Sequence, residues 1–346
     1  MARNKRIVTL YQDADREVLK AAVVGENDAV TTYDMDWEPR SGFGIDMVVD
    51  GSGAIHASYF RRAEGSHAQL MYAVTTSAGE TPLAPNDWTL SVAAEVLLAP
   101  AFETPCKSAC NATQVCVVID AATHCKSADL IANYKPRCDS GQVCVGGQCR
   151  RIARPLAGTQ PWRDDFAGDS AIALWGDERL IAYHNHAQGS LHLSRAAPQQ
   201  KFETVLLDGG SGLDVGHHVE LVADAGLIAV AYVDATHARV KLLIGSHPQS
   251  LSASVLGRGG AGLAMVAGVG GQVSIAYGQA SMDVVHVVQG SAGALQHFQI
   301  GQGSAVGRFN AWIQDGGGLV LGTLRDHFSA DLQLEPQVLL FDVSNP

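Results

Sequence analysis

Residues 219–232 read Val-Glu-Leu-Val-Ala-Asp-Ala-Gly-Leu-Ile-Ala-Val-Ala-Tyr. An apolar run of strand length meets an Asp-Ala-Gly turn and is answered by a second run closing on Tyr232, the pattern of a β-hairpin. The closing run recurs as Ile7-Val-Thr-Leu-Tyr11, Ile55-His-Ala-Ser-Tyr59, Leu180-Ile-Ala-Tyr183 and Val273-Ser-Ile-Ala-Tyr277. Leu319-Val-Leu-Gly-Thr-Leu324 keeps the place and loses the tyrosine. Successive tyrosines are 48, 124, 49 and 45 residues apart. Taking one period from 124 leaves about 75 residues, the size of an insertion, and a period of 40 to 50 residues marks propellers and solenoids.

Each repeat has the same parts. A first strand (45–49, 171–175, 219–223, 263–267, 309–313) runs into a Gly- or Asp-rich turn such as Asp50-Gly-Ser-Gly53 or Gly268-Val-Gly-Gly271. The Tyr strand follows, and then a third strand such as Gln69-Leu-Met-Tyr-Ala73 or Val240-Lys-Leu-Leu243. Thr89 to Val96 and Phe202 to Leu207 supply fourth strands. No segment sustains helical periodicity with caps at both ends. The expectation is an all-β chain, a six-bladed β-propeller of antiparallel four-stranded blades. Blades 1 and 2 are expected in residues 1–100, an insert in 101–165 and blades 3 to 6 in 166–346. The first repeat starts at its Tyr strand and the last stops after its third, so two strand places are left vacant, which a partner chain could fill by edge addition.

The pattern Asp50-Gly-Ser-Gly53, Ile55-His-Ala-Ser-Tyr59 and Leu70-Met-Tyr-Ala73 resembles the blades of six- and seven-bladed propellers of the sialidase-like and BNR-like group, over residues 6–100 and 168–344. The Asp-box of that group, Ser-x-Asp-x-Gly-x-Thr-Trp, is missing. The resemblance implies blade architecture and no particular activity.

All seven cysteines fall between Cys106 and Cys149. So short and polar a stretch buries too little apolar area to fold without cross-links, and disulfides persist in oxidising compartments. The expected location is therefore extracellular, cell-surface or periplasmic, although the basic start Met1 to Arg6 is followed by too short an apolar run for a signal peptide. The window is duplicated: Cys110-x5-Cys116 and Cys138-x5-Cys144 share Gln-Val-Cys-Val at an offset of 28 residues. That duplication suggests Cys106–Cys116, Cys110–Cys125 and Cys138–Cys149 bridges with Cys144 unpaired. Zinc is the competing reading, from Cys106-x3-Cys110 and His124-Cys125, but paired C-x2-C knuckles are absent. Cys138 to Arg150 resembles short cysteine-rich modules of exported myxobacterial proteins, which supports the compartment alone.

The charge balance, Lys+Arg 24 against Asp+Glu 35 for a net −11 with no basic tract, argues against nucleic acid and anionic membranes as partners. No run of 18 apolar residues exists to span a bilayer. In a propeller the turns after the Tyr strands share the rim of the central channel. They carry Asp13 and Asp15, Arg61, His184 and His186, Asp234, and Arg325 and Asp326 as ligand-binding candidates. Asp13, Asp15 and Asp234 offer oxygen ligands suited to calcium, the one cofactor considered, and His184 with Asp234 could form an acid/base pair. The plainer alternative is that these are solvated turn residues. His217 and His218 are adjacent on a strand, so they point to opposite faces and cannot easily share an ion. No nucleophile elbow or phosphate loop is found. The leading expectation is a non-catalytic module binding a protein or glycan at the cell surface. The alternatives are a propeller glycoside hydrolase or polysaccharide lyase, and a subunit of a larger surface assembly.

Overall fold

The computed structural model describes residues 7–97 and 169–342, apart from residues 26–28, 39, 63–66, 77–81, 83, 186–187, 211–212, 225, 269, 280–283, 303–305, 316–317 and 329–333. Between those two regions it describes residues 114–119, 122–127, 142–145 and 148–151. The chain is an all-β, six-bladed propeller in which each blade is an antiparallel meander. Blade 1 is β1 (Ile7–Asp13), β2 (Val18–Val24) and β3 (Val30–Asp36). Blade 2 is β4 (Ser41–Val49), β5 (Ile55–Arg62), β6 (His67–Thr75) and β7 (Trp88–Leu97). Two separate hairpins follow, β8 (Gln114–Ile119) with β9 (Ala122–Ser127) and β10 (Gln142–Val145) with β11 (Gln148–Arg151). Blade 3 is β12 (Ser170–Trp175), β13 (Glu178–Asn185), β14 (Ser190–Ala196) and β15 (Glu203–Asp208). Blade 4 is β16 (Val215–Asp224), β17 (Leu227–Asp234), β18 (Arg239–Gly245) and β19 (Ser252–Arg258). Blade 5 is β20 (Ala261–Gly268), β21 (Gln272–Gln279), β22 (Val284–Ser291) and β23 (Ala294–Gln302), and blade 6 is β24 (Val306–Asp315), β25 (Gly318–Phe328) and β26 (Leu334–Asp342).

Among the described residues, four blades thus have four strands and two have three. In blade 1 the Tyr strand is the first strand present, and blade 6 stops at its third. No helix among the described residues is long and apolar enough to cross a membrane.

The repeat tyrosines are the core of the blade-to-blade interfaces. Tyr59, Tyr183, Tyr232 and Tyr277 are among the largest fully buried side chains, each packed in an apolar cluster with residues of its own and an adjacent blade. Burying a side chain of this size contributes roughly 1.5–3 kcal/mol. Ala57, Ala182, Ala231 and Ala276 are fully buried beside them, because small side chains let the sheets approach. Tyr11 is exposed at 36%, since β1 is an edge strand of its sheet, paired among the described residues with β2 alone. Two tyrosine hydroxyls latch blades together: Tyr59 Oη donates to Asp36 Oδ2 (2.7 Å) and Tyr232 Oη to Asp208 Oδ2 (2.5 Å), each aspartate ending the last strand of the preceding blade.

The first strands start earlier than the sequence reading placed them, at Ser41, Val215, Ala261 and Val306. Each enters its sheet through a register shift. The early stretch looks like loop because it needs left-handed residues: Gly44 has φ 56°, Gly262 has φ 55°, and His218 stands at the matching place with φ 48°. A bulge accommodates them without ending the strand.

Candidate functional site

The registers Asp46↔Ser58, Ala171↔Ala182, Glu220↔Ala231 and Ala264↔Ala276 set Asp46, Ala171, Glu220 and Ala264 at one equivalent place on the inner strands. Each stands opposite the residue before a repeat tyrosine. Acid and alanine alternate there, and the acids reach across the alanines. The N–H of Ile172 on blade 3 donates to Asp46 Oδ2 of blade 2 (2.7 Å), and the N–H of Met265 on blade 5 hydrogen-bonds Glu220 of blade 4. Between them the N–H of His218 donates to Asp169 Oδ2 (2.5 Å), joining blade 4 to blade 3.

Asp46, Asp169, His218 and Glu220 line a cavity of about 290 Å³ at the channel, walled by Ile45, Val219 and Leu263. Among the described residues no Lys or Arg lines it. Burial pushes the Asp46 carboxyl up, although the N–H groups of Ile172 and Met47 favour its charged form. Burial, followed by the charge of Asp46, pushes Glu220 up to about 8, with the Asp169 charge adding to the effect and the Met265 N–H opposing it. At neutral pH the site therefore pairs a protonated carboxyl, a hydrogen-bond donor, with acceptors at Asp169 and Ser170.

The cavity lies at the end of the propeller where the inner strands begin. The turns after the repeat tyrosines lie at the same end, since Arg61 pairs with Ser41, Asp234 pairs with Val215, and the His184 N–H donates to the Asp169 carbonyl (3.2 Å). Asp13, Asn185 and Asp234 each cap their own hairpin turn. Asp13 Oδ1 accepts the N–H groups of Asp15 and Arg16, Asn185 Oδ1 that of Gln188, and Asp234 Oδ1 that of His237. Asp13 also faces Lys20 (3.4 Å), and buried Asp234 is held by Arg239 Nε (3.0 Å) and His237. Arg61 donates to Gln69 and approaches Asp36 (3.6 Å). Asp13 and Asp15 lie on blade 1 and Asp234 on blade 4, so the structure does not gather the three expected calcium ligands. Arg325 and Asp326 lie within β25, and His186 is outside the described residues.

His184 meets Asp214, not Asp234. Its Nε2 lies 3.1 Å from Asp214 Oδ1, and His217 Nε2 lies 2.8 Å from the same oxygen, with the two rings 4.1 Å apart. His217, which does not easily share an ion with His218, has a partner in His184 one blade away. Burial disfavours the Asp214 charge, yet the hydrogen bonds from His184 and His217 hold its carboxyl well below the usual range. The signal for this cluster lies between repeats: Asp214 opens one blade and His184 follows the tyrosine of the blade before.

The insert registers Cys116 opposite Cys125 and Cys144 opposite Cys149. Cys106, Cys110 and Cys138 lie outside the described residues.

No protein-family model and no curated protein matches the chain. Among solved structures, the fucose-specific lectin from Aleuria aurantia superposes with a TM-score of 0.50 at 10% identity, over 100% of this chain and 94% of that one. Another structure of Aleuria aurantia lectin, described as a six-bladed β-propeller with a novel mode of fucose recognition, gives 0.48 at 10% identity, with coverages of 100% and 94%. An α-L-arabinofuranosidase from Clostridium thermocellum gives 0.37 at 10% identity, with coverages of 86% and 93%. At these identities the likeness concerns the fold.

Proposed function

We propose that this propeller is a non-catalytic carbohydrate-binding protein working outside the cytoplasm, with its ligand seated in the channel cavity. The observation that carries the reading is the lining of that cavity. A neutral carboxyl at Glu220, acceptors at Asp169 and Ser170, and apolar walls at Ile45, Val219 and Leu263 suit the alternating hydroxyl and C–H surface of an uncharged sugar. The acids Asp46, Asp169 and Glu220, with no Lys or Arg beside them among the described lining residues, disfavour a phosphate or carboxylate ligand. The cysteine-rich window supports an oxidising compartment.

Hydrolysis is the second reading, because a protonated Glu220 beside Asp169 is the kind of acid and base that glycoside cleavage uses. It is disfavoured because Asp46, Asp169 and Glu220 each accept a backbone N–H from the next blade, which fixes these groups as inter-blade ties. A glycan array followed by calorimetry on any hit tests the proposal. Binding that His218→Ala weakens, with no release of reducing sugar, is expected. A folded protein that binds no glycan would overturn it, and sugar release abolished by Glu220→Gln would establish the hydrolase instead.

A further inference from the structure

The channel rim holds a second arrangement that the sugar reading does not use. His184, Asp214 and His217 present Nε2, Oδ1 and Nε2 atoms that all lie within 4.8 Å of one another. They are the one such group of three among the described residues. Their positions are fixed from two blades. His184 is buried at the end of β13 on blade 3, and His217 sits in the bulge that opens β16 on blade 4. The loop of Asp214 is tied to the β17–β18 turn: its N–H donates to Thr236 Oγ1 (2.7 Å), and its carbonyl accepts the Ala235 N–H (2.9 Å). Such preorganisation is what a metal site requires of its ligands.

Two imidazole nitrogens and one carboxylate oxygen suit a borderline transition metal, whereas calcium prefers six or more oxygens. We propose that His184, Asp214 and His217 bind one divalent ion of the zinc class, clasping blade 3 to blade 4. On binding, each imidazole coordinates through Nε2 in the tautomer that carries its one proton on Nδ1, and the second proton of any imidazolium leaves to solvent. Asp214 and His217 are partly exposed, at 24% and 22% of their side-chain surface, so a fourth position stays open to water or a ligand from solution. This inference stands apart from the sugar site, because none of the three residues lines the channel cavity.

The test uses the full chain, stripped with chelator and titrated with Zn²⁺ by calorimetry and with Co²⁺ by absorption. One Zn²⁺ per chain is expected, with visible Co²⁺ bands and no thiolate charge-transfer band, and with no thermal stabilisation by Ca²⁺. His217→Ala should weaken Zn²⁺ binding by more than the ~10–100-fold that loss of an outer partner costs. His237→Ala, which alters the neighbouring Asp234 cluster, should leave it unchanged. Circular dichroism checks that the variant is folded, and His217→Gln replaces it if it is not. Zn²⁺ binding unaffected by His217→Ala, or accompanied by a thiolate band, would assign the metal to the cysteines and overturn the proposal. Absence of Zn²⁺ binding to the wild-type chain would do the same.

Discussion

Glu220→Gln is expected to remove a proton-linked part of the stability of this propeller. In the folded chain burial, followed by the Asp46 charge, pushes the Glu220 carboxyl up to about 8, whereas the unfolded chain ionises it near the ordinary 4.5. Between these limits the folded state holds the extra proton. The stabilising contribution is therefore complete below about pH 4.5 and is lost as pH rises towards 8. The slope cannot exceed ~1.4 kcal/mol per pH unit, which gives a ceiling of roughly 5 kcal/mol over the whole interval. Glu220 faces a solvent-accessible channel, so screening lowers this, and about 2 kcal/mol between pH 5 and 8 is the working figure. Glutamine keeps an acceptor for the Met265 N–H while removing the ionisation. Urea titrations of both proteins at pH 5, 6, 7 and 8 measure the effect, and their difference cancels the titrating groups that do not interact with Glu220. Wild type should lose ground to the variant as pH rises. Parallel curves would refute the placement of a protonated carboxyl at this site.

Three further outcomes are expected. Gly257→Ala would set a methyl 2.5 Å from the hydroxyl of buried Tyr277, and should cost about 1–3 kcal/mol in denaturant titration; a neutral result would contradict the packing of blade 4 on blade 5. His218→Gly should lie within about 1 kcal/mol of wild type, because glycine accepts the left-handed backbone, while His218→Val should cost more than ~1 kcal/mol; equal tolerance of both would refute the strain. Non-reducing peptide mapping is expected to recover Cys116–Cys125 and Cys144–Cys149 bridges, because directly opposed strand residues lie within disulfide span; recovery of Cys106–Cys116 would favour the pairing suggested by the duplication instead.

The fold was legible because one interface residue, the tyrosine, repeats in sequence at the period with which blades repeat in space. Its spacing pointed to the number of blades, and the strand runs around it to their antiparallel meander. The first-strand entries were hidden because Gly42, Gly44 and Gly216 read as loop, although their positive φ values serve bulges inside strands. The turns after the tyrosines were placed at the channel end, but Asp13 and Asp234 proved to be turn caps. The residues that share the cavity, Asp46, Asp169 and Glu220, come from three blades. Reading them would have required carrying the hairpin register from each tyrosine back to the inner strand. His184, Asp214 and His217 pose the same difficulty, since their meeting depends on how two blades dock.

The carboxylate ties at the hub all run one way: the acid belongs to one blade and the accepted N–H to its successor. The disc accordingly has a sense of rotation, each wedge holding the wedge that follows it in the chain. Cutting one tie would loosen the successor's innermost strand first, leaving the predecessor's own pairing intact. The amides of Ile172, His218 and Met265, although turned away from their own hairpins, should exchange slowly with deuterated solvent, and the loss of any single acid should unprotect a single amide, always the one downstream.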